Sequence, residues 1–359
     1  MTTATSSLDL LITSDLHAGE ADQAYPFEAH QCPPDVLFLR KALQRLRYTG
    51  VEADLVMMLR NENASRYPIP VTCKPPFRFV HARFREDSQV EAEEHALRME
   101  TPGLVDTHCH TEYAYCAANV NGEINIALSK ALGLDGLCLI EHAFQLYFDE
   151  DEAWSYRWQT DEALVQQARK MGRGRMPEYR RFAHSLRERH AGFVRVGLEV
   201  DLGVGGELLL FPEDRAGWDL LVGALHAIPA FEKDRTSQAQ AEKLFLRQTE
   251  RLLAQPIHVL AHPFRFFRRA GLERPPQLYE PVAEMLAQSG VAAEVNFHSN
   301  EPDPRFVAEC LSRGVKIALA TDSHTLTEVG ELYPHLELLR RVGIQDEELP
   351  NVLYRPGKP

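Results

Sequence analysis

The chain has 359 residues, 44% hydrophobic and 25% charged, with a formal net charge of -13. This composition excludes disordered and fibrous classes, and the length suits one large domain plus an extension or two ordinary domains. The acidic balance argues against broad binding to a phosphate backbone, which needs a basic face, although bound metal ions would offset several acidic ligands. Apolar runs such as residues 55–59 and 220–225 fall far short of the ~20 residues of a membrane span, so no membrane partner is expected. The opening MTTATSSLDL has no basic stretch ahead of an apolar core, and six cysteines are too sparse for a disulfide framework. A cytoplasmic protein with reduced or metal-binding thiols is the expectation.

In chain order, residues 8–13 read as a strand, 35–48 as a helix and 54–59 as a second strand, which makes one βαβ unit. After Arg60 the pattern decays: Pro68, Pro70, Pro75 and Pro76 interrupt it, and only the acidic run 89–99 is helical in character. A boundary is placed near Thr101 and Pro102. Beyond it a short apolar run repeatedly ends in a polar residue and is followed by an amphipathic stretch. The runs are 103–106, 136–140, 194–202, 220–225, 257–261, 292–297 and 315–321. Helical patterns cover 123–132 (closed by Gly133), 160–170, 176–190, 238–254, 277–289 and 304–313 (closed by Gly314). Strands alternating with helices predict an α/β fold with a mainly parallel sheet, open or closed into a barrel.

Chemistry gathers where the apolar runs end. His108 and His110 follow the first, Glu141 and His142 the second, and Glu199 sits near the end of the third. His226 and His262 follow the fourth and fifth, Asn296 and His298 close the sixth, and Asp322 and His324 the seventh. In a barrel, the C-terminal strand ends converge on one mouth. On an extended strand the His108-Cys109-His110 spacing points both imidazoles to one side, and Asp322-Ser323-His324 repeats it. One histidine at a strand end is an ordinary structural residue; seven ends carrying imidazole, carboxylate or amide point to metal. The mixed donors favour zinc, manganese or iron over calcium. His30, His81, His95, His184, His190, His258 and His335 are given no catalytic role, with His258 expected in the core.

The stretches DTHCHTEYAYC (106–116), EH (141–142), GLEVD (197–201), GALH (223–226), AHPFR (261–265), EVN (294–296) and ATDSH (320–324) resemble, in order, the motifs of the PHP (polymerase and histidinol phosphatase) family. The resemblance covers about residues 101–342 and is greatest to the histidinol-phosphatase branch. It implies a distorted seven-stranded (β/α)7 barrel over 101–345, preceded by a small, partly irregular extension (1–100) and followed by a tail (346–359). It also implies up to three divalent ions. One would take His108, His110, Glu199 and Asp322; a second would share Glu199 and add His226 and His262; a third would take the position of Cys116, with His142 and His324. Cys116 departs from the family, which usually has histidine there. Glu141 is expected to orient His142, and Asp201 either to support a ligand or to be solvated.

The expected function is hydrolysis of a small phosphomonoester by a metal-activated hydroxide at a multinuclear site. Glu199 and Asp322 are the catalytic carboxylates and Arg265 the cation for the phosphoryl group, ahead of Arg268 and Arg269. A nuclease acting on oligonucleotides or nucleoside bisphosphates is disfavoured, because it would call for a basic or aromatic rim and the sequence offers only Phe264, Phe266, Phe267 and the nearby arginines. A barrel amidohydrolase fits less well, because Glu199 holds the place of its bridging lysine and Lys316 lies at the wrong strand end. ITSDLHAGE (12–20) and ADLVMML (53–59) are similar to the opening of calcineurin-like phosphoesterases, with Asp15 and His17 as metal ligands. That family's later motifs are missing, so residues 1–100 read as a degenerate remnant or an irregular extension. Oligomeric state is left open.

Overall fold

The apolar runs form the strands of one continuous sheet. The structure, a computed structural model, describes residues 98–234, 237–298 and 302–357. Its strands are β1 (Val105–Cys109), β2 (Gly136–His142), β3 (Val194–Val200), β4 (Leu220–Gly223), β5 (Val259–Leu260), β6 (Ala292–Asn296) and β7 (Ile317–Ala320). They are hydrogen-bonded in sequence order, and every neighbouring pair is parallel. The outer strands then meet: Asp322 N donates to His108 O at 2.7 Å, and Cys109 bridges Ser323. Seven parallel strands thus make a nearly closed barrel, irregular at the two-residue β5.

Asp106 fastens this seam. Its carboxylate accepts from Thr321 Oγ1 at 2.6 Å, Thr321 N at 3.0 Å and His108 N at 3.2 Å. The barrel core is small and apolar: Cys138, Ile140, Leu220, Val222, Ala224, Val259, Ala261, Ala292 and Ala318 form one buried cluster. Fully burying each of its larger aliphatic side chains contributes about 1.5–3 kcal/mol.

The helices start and stop where local chemistry dictates. Asn121 Oδ1 caps Gly122–Ala131 by accepting from Glu123 N and Ile124 N, and Gly133 beyond the end takes φ +86. Asp303 and Pro304 open Pro304–Ser312, and Gly314 (φ +74) follows its end. Residues 346–357, part of the expected tail, dock on the barrel: Leu353 bridges Ile317, and Arg195 Nε donates to Gly357 O at 3.0 Å. His258 is a correction. It is exposed rather than in the core, because β5 begins only at Val259 and leaves His258 at the rim, where its Nδ1 accepts from Leu221 N. The βαβ unit, Asp15 and His17 lie outside the described residues. Among the described residues, no helix is long and apolar enough to cross a membrane.

Gly197 in β3 has no room for a side chain: a Cβ there would fall onto Leu220 O and lie 2.7 Å from Ile140 Cδ1. Gly197→Ala should therefore destabilise the barrel by about 1–3 kcal/mol, the usual range for overpacking. Equilibrium urea unfolding, read as a lower midpoint at unchanged slope, checks it.

Candidate metal centre

Strand alternation builds the site. His108 and His110 leave β1 on the same side, while Cys109 between them accepts from Asn125 Nδ2 and Ser323 Oγ behind the strand. Glu199, on fully buried β3, sits at the centre with its two oxygens divided between imidazoles. Its Oε1 lies 2.8 Å from His262 Nε2 and 3.3 Å from His226 Nε2. Its Oε2 lies 2.6 Å from His142 Nδ1, 3.5 Å from His108 Nε2 and 3.8 Å from His110 Nε2. Asp322 joins across the seam, with Oδ1 2.9 Å from His110 Nε2. All nine residues assigned to ions in the sequence are thereby brought into one mouth. His142 spans two positions, with Nδ1 on Glu199 and Nε2 3.4 Å from Cys116 Sγ.

A second layer of polar groups sets the tautomers. Glu294 accepts from His108 Nδ1 at 2.9 Å, His262 N at 3.0 Å and Asn296 Nδ2 at 2.7 Å. Asp201 takes His226 Nδ1 at 2.9 Å and the His226 backbone N at 3.1 Å, so it is a support and not a solvated residue. Glu141 is a correction: it faces His110 Nδ1 at 3.5 Å and accepts from Thr111 N and Oγ1, and does not orient His142. Adjacent side chains on a strand point to opposite faces, so Glu141 cannot serve the residue beside it. Arg265 is buried, and its NH2 donates to Asp322 Oδ2 at 2.5 Å, Asn296 Oδ1 at 3.1 Å and His298 O at 2.8 Å. Sequence reasoning missed Glu294 as a functional residue, although its i, i+2 spacing to Asn296 was a usable signal.

At the third position, Cys116 Sγ lies 3.0 Å from His324 Nε2. His324 Nδ1 faces Asp322 O at 2.7 Å, which leaves Nε2 for the site. His298 stacks on His324 with centroids 4.2 Å apart, and its Nδ1 lies 2.6 Å from Glu328 Oε1. Glu328 Oε2 accepts from His324 N, Thr325 N and Thr325 Oγ1, which makes this pair a brace behind His324.

The donors fit divalent ions. Ligand atoms of His108, His110 and Asp322, of His142, Glu199 and His226, and of His110, His142 and His324 lie within 4.8 Å of one another in each trio. His108 Nε2, His142 Nδ1 and Glu199 Oε2 are buried and close together, the last two 2.6 Å apart, without a well-directed hydrogen bond, as donors converging on one cation would be. Burial pushes the Glu199 carboxyl up, yet His142, His226 and His108 together hold it well below the usual range. Asp322 behaves alike: burial is overcome by Arg265 and then His108. Two of the ligand positions carry positive φ, His262 at +28 and Asp322 at +49, a strained backbone for non-glycine residues.

Loss of Glu294's charge should loosen ions without removing a ligand. Glu294→Gln should weaken divalent binding about 10- to 100-fold, the usual cost of an outer-layer carboxylate. Chelator competition, followed as metal release, measures it.

Among curated proteins, the chain is 27% identical over 147 residues to "Probable phosphatase Ent638_1550" of Enterobacter sp. strain 638, covering 38% of this chain and 54% of that protein. It is 27% identical over 165 residues to "Probable phosphatase YcdX" of Escherichia fergusonii, covering 44% and 62%. The chain thus spans less than two thirds of the length of these relatives. A crystal structure from Listeria monocytogenes described as "putative histidinol phosphatase hisK" superposes with a TM-score of 0.48 at 16% identity, over 65% of this chain and 99% of that one. The family described as PHP domain matches residues 106–298, more than half of the chain, and the chain belongs to that family.

Proposed function

We propose that the chain is a metal-dependent phosphatase acting on small phosphomonoesters, in the manner of a histidinol phosphatase. The observation that carries this reading is Glu199, whose two oxygens face different sets of imidazoles as a carboxylate shared between cations must. Zinc, manganese or iron would be held in one position by His108, His110, Glu199 and Asp322, and in a second by Glu199, His226 and His262. When bound, such ions supply an activated water and charge neutralisation for a phosphoryl group. The chain's own residues do the rest. Glu294 and Asp201 hold His108 and His226 with the ligating nitrogen turned inward. Arg265 and Asn296 fix Asp322 from behind, and the Arg265 Nε–H, buried without an acceptor, is the group we assign to a phosphoryl oxygen.

Two features weigh against the alternatives. Phe264, Phe266 and Phe267 are buried against one another and Phe245, so they offer no stacking rim to nucleic acid. Lys316 bonds Asn351 O beside the start of β7, away from the ligand end that an amidohydrolase lysine would occupy. The four described cysteines, Cys109, Cys116, Cys138 and Cys310, are unpaired, which supports a reducing, cytoplasmic setting.

A panel of phosphomonoesters run beside short oligonucleotides tests the substrate class. Turnover confined to the monoesters, abolished by chelator and restored by zinc or manganese, is expected. Hydrolysis of oligonucleotides alone would overturn the proposal. Glu199→Gln keeps the shape but not the charge, and should lower turnover by about a thousandfold, as for loss of a major electrostatic element.

A further inference from the structure

The rim of the mouth carries a cation that the metal centre does not use. Arg265 and Arg269 begin and end the short helix Arg265–Arg269 that follows β5. Four residues apart, they lie on one face of that helix, separated by about one turn, on the order of 6 Å. Arg265 is buried and tied to Asp322, whereas Arg269 is exposed. Among the described residues, the one hydrogen-bonding partner of Arg269 is the Tyr156 hydroxyl, which accepts from its NH2 at 2.9 Å. That partner is neutral, so the guanidinium keeps its charge uncompensated and most of its N–H donors unused.

Tyr156 belongs to the crossover between β2 and β3, so this bond joins two separate crossovers over the rim. Its backbone is strained, with φ +52 in a residue that is not glycine, and the strain fixes where the phenol stands. The ring lies 5.9 Å from those of Phe144 and Trp158, and Phe144 in turn lies 5.2 Å from His142 and 5.5 Å from His226. Burial raises the pKa of the Tyr156 hydroxyl against the opposing pull of Arg269, and Asp201 and Glu199 add to the rise. The phenol therefore stays protonated at neutral pH. Because its oxygen accepts from Arg269, its own O–H remains to be donated.

We propose that Arg269 and Tyr156 form an anion subsite at the rim, which binds a carboxylate on the alcohol half of the substrate while Arg265 and the ions hold the phosphoryl half. Resting on the phosphatase reading of the mouth, this subsite narrows the substrate to phosphate esters of short hydroxy acids. A guanidinium matches the planar geometry of a carboxylate and balances its single charge. A second phosphate would bring two charges into the field of a chain at -13. An ammonium on the alcohol would be repelled by Arg269. The turn of helix between the two arginines suits a linker of roughly three or four atoms from phosphorus to carboxylate.

The test titrates the full, zinc-loaded chain calorimetrically with three phosphonates of matched length: terminally substituted phosphonobutanoate, butylphosphonate and aminopropylphosphonate. Their P–C bond is not hydrolysed, so binding is read apart from turnover. Phosphonobutanoate should bind about 10- to 100-fold more tightly than butylphosphonate, the weight of a hydrogen bond between charged groups, and aminopropylphosphonate should bind most weakly. Arg269→Met should bring the first ratio close to one, and Arg269→Lys should keep part of it. Tyr156→Phe should lower the ratio by less than loss of Arg269 does. Circular dichroism establishes that each variant is folded. Equal affinity for the three phosphonates, or an unchanged ratio in folded Arg269→Met, overturns the proposal. Turnover of the matching phosphate esters separates it from the wider reading. Hydrolysis without the binding preference removes the subsite and leaves the phosphatase; the preference without hydrolysis leaves the subsite and removes the phosphatase.

Discussion

The structure is organised around one buried carboxylate. Glu199 is fully buried, and stripping a carboxylate of water costs several kcal/mol unless opposite charge and hydrogen bonds replace the solvent. Five imidazoles supply that replacement, from His142 at 2.6 Å out to His110 at 3.8 Å, and they arrive from four different places along the barrel rim. The site can therefore form only if the sheet closes. An open sheet would leave Asp322, after β7, far from His108 and His110, which β1 provides. Asp106 and Thr321 tie that seam, so a buried polar clasp with no part in the chemistry decides whether the chemistry can assemble.

Much of this was legible in the sequence for a simple reason. Strands buried on both faces appear as short apolar runs, and a charged or imidazole side chain at the end of each stands out against them. All seven runs became strands, and every residue assigned to an ion lies in the mouth. What failed to show was direction. Glu141 and His142 are neighbours in sequence but point to opposite faces, so the carboxylate serves His110 on the next strand. Glu294 looked like part of a strand motif, yet its oxygens gather His108, His262 and Asn296, residues separated from it by up to 186 positions.

Backbone strain follows the same logic. His262, Phe264 and Asp322 hold positive φ, a conformation that costs a non-glycine residue about 1–3 kcal/mol and persists only where neighbours over-determine it. Those neighbours are identifiable: His262 N donates to Glu294, and Asp322 N donates to His108 O. The outer carboxylate and the barrel seam thus do two things at once. They orient side chains toward the centre, and they hold the turns that carry them.

Net charge bears on which phosphate ester can reach such a centre. With a formal charge of -13, the chain repels anions at long range, and that repulsion grows with each phosphate a ligand carries. Beyond a Debye length of about 8 Å at physiological salt the field is largely screened, so a small dianion meets it only briefly before entering the mouth. Inside, bound cations at the proposed positions and the guanidinium of Arg265 would dominate, because the surrounding strands exclude water and weaken screening. On the reading proposed above, the net negative charge would weigh more on a polyanion than on a single phosphomonoester.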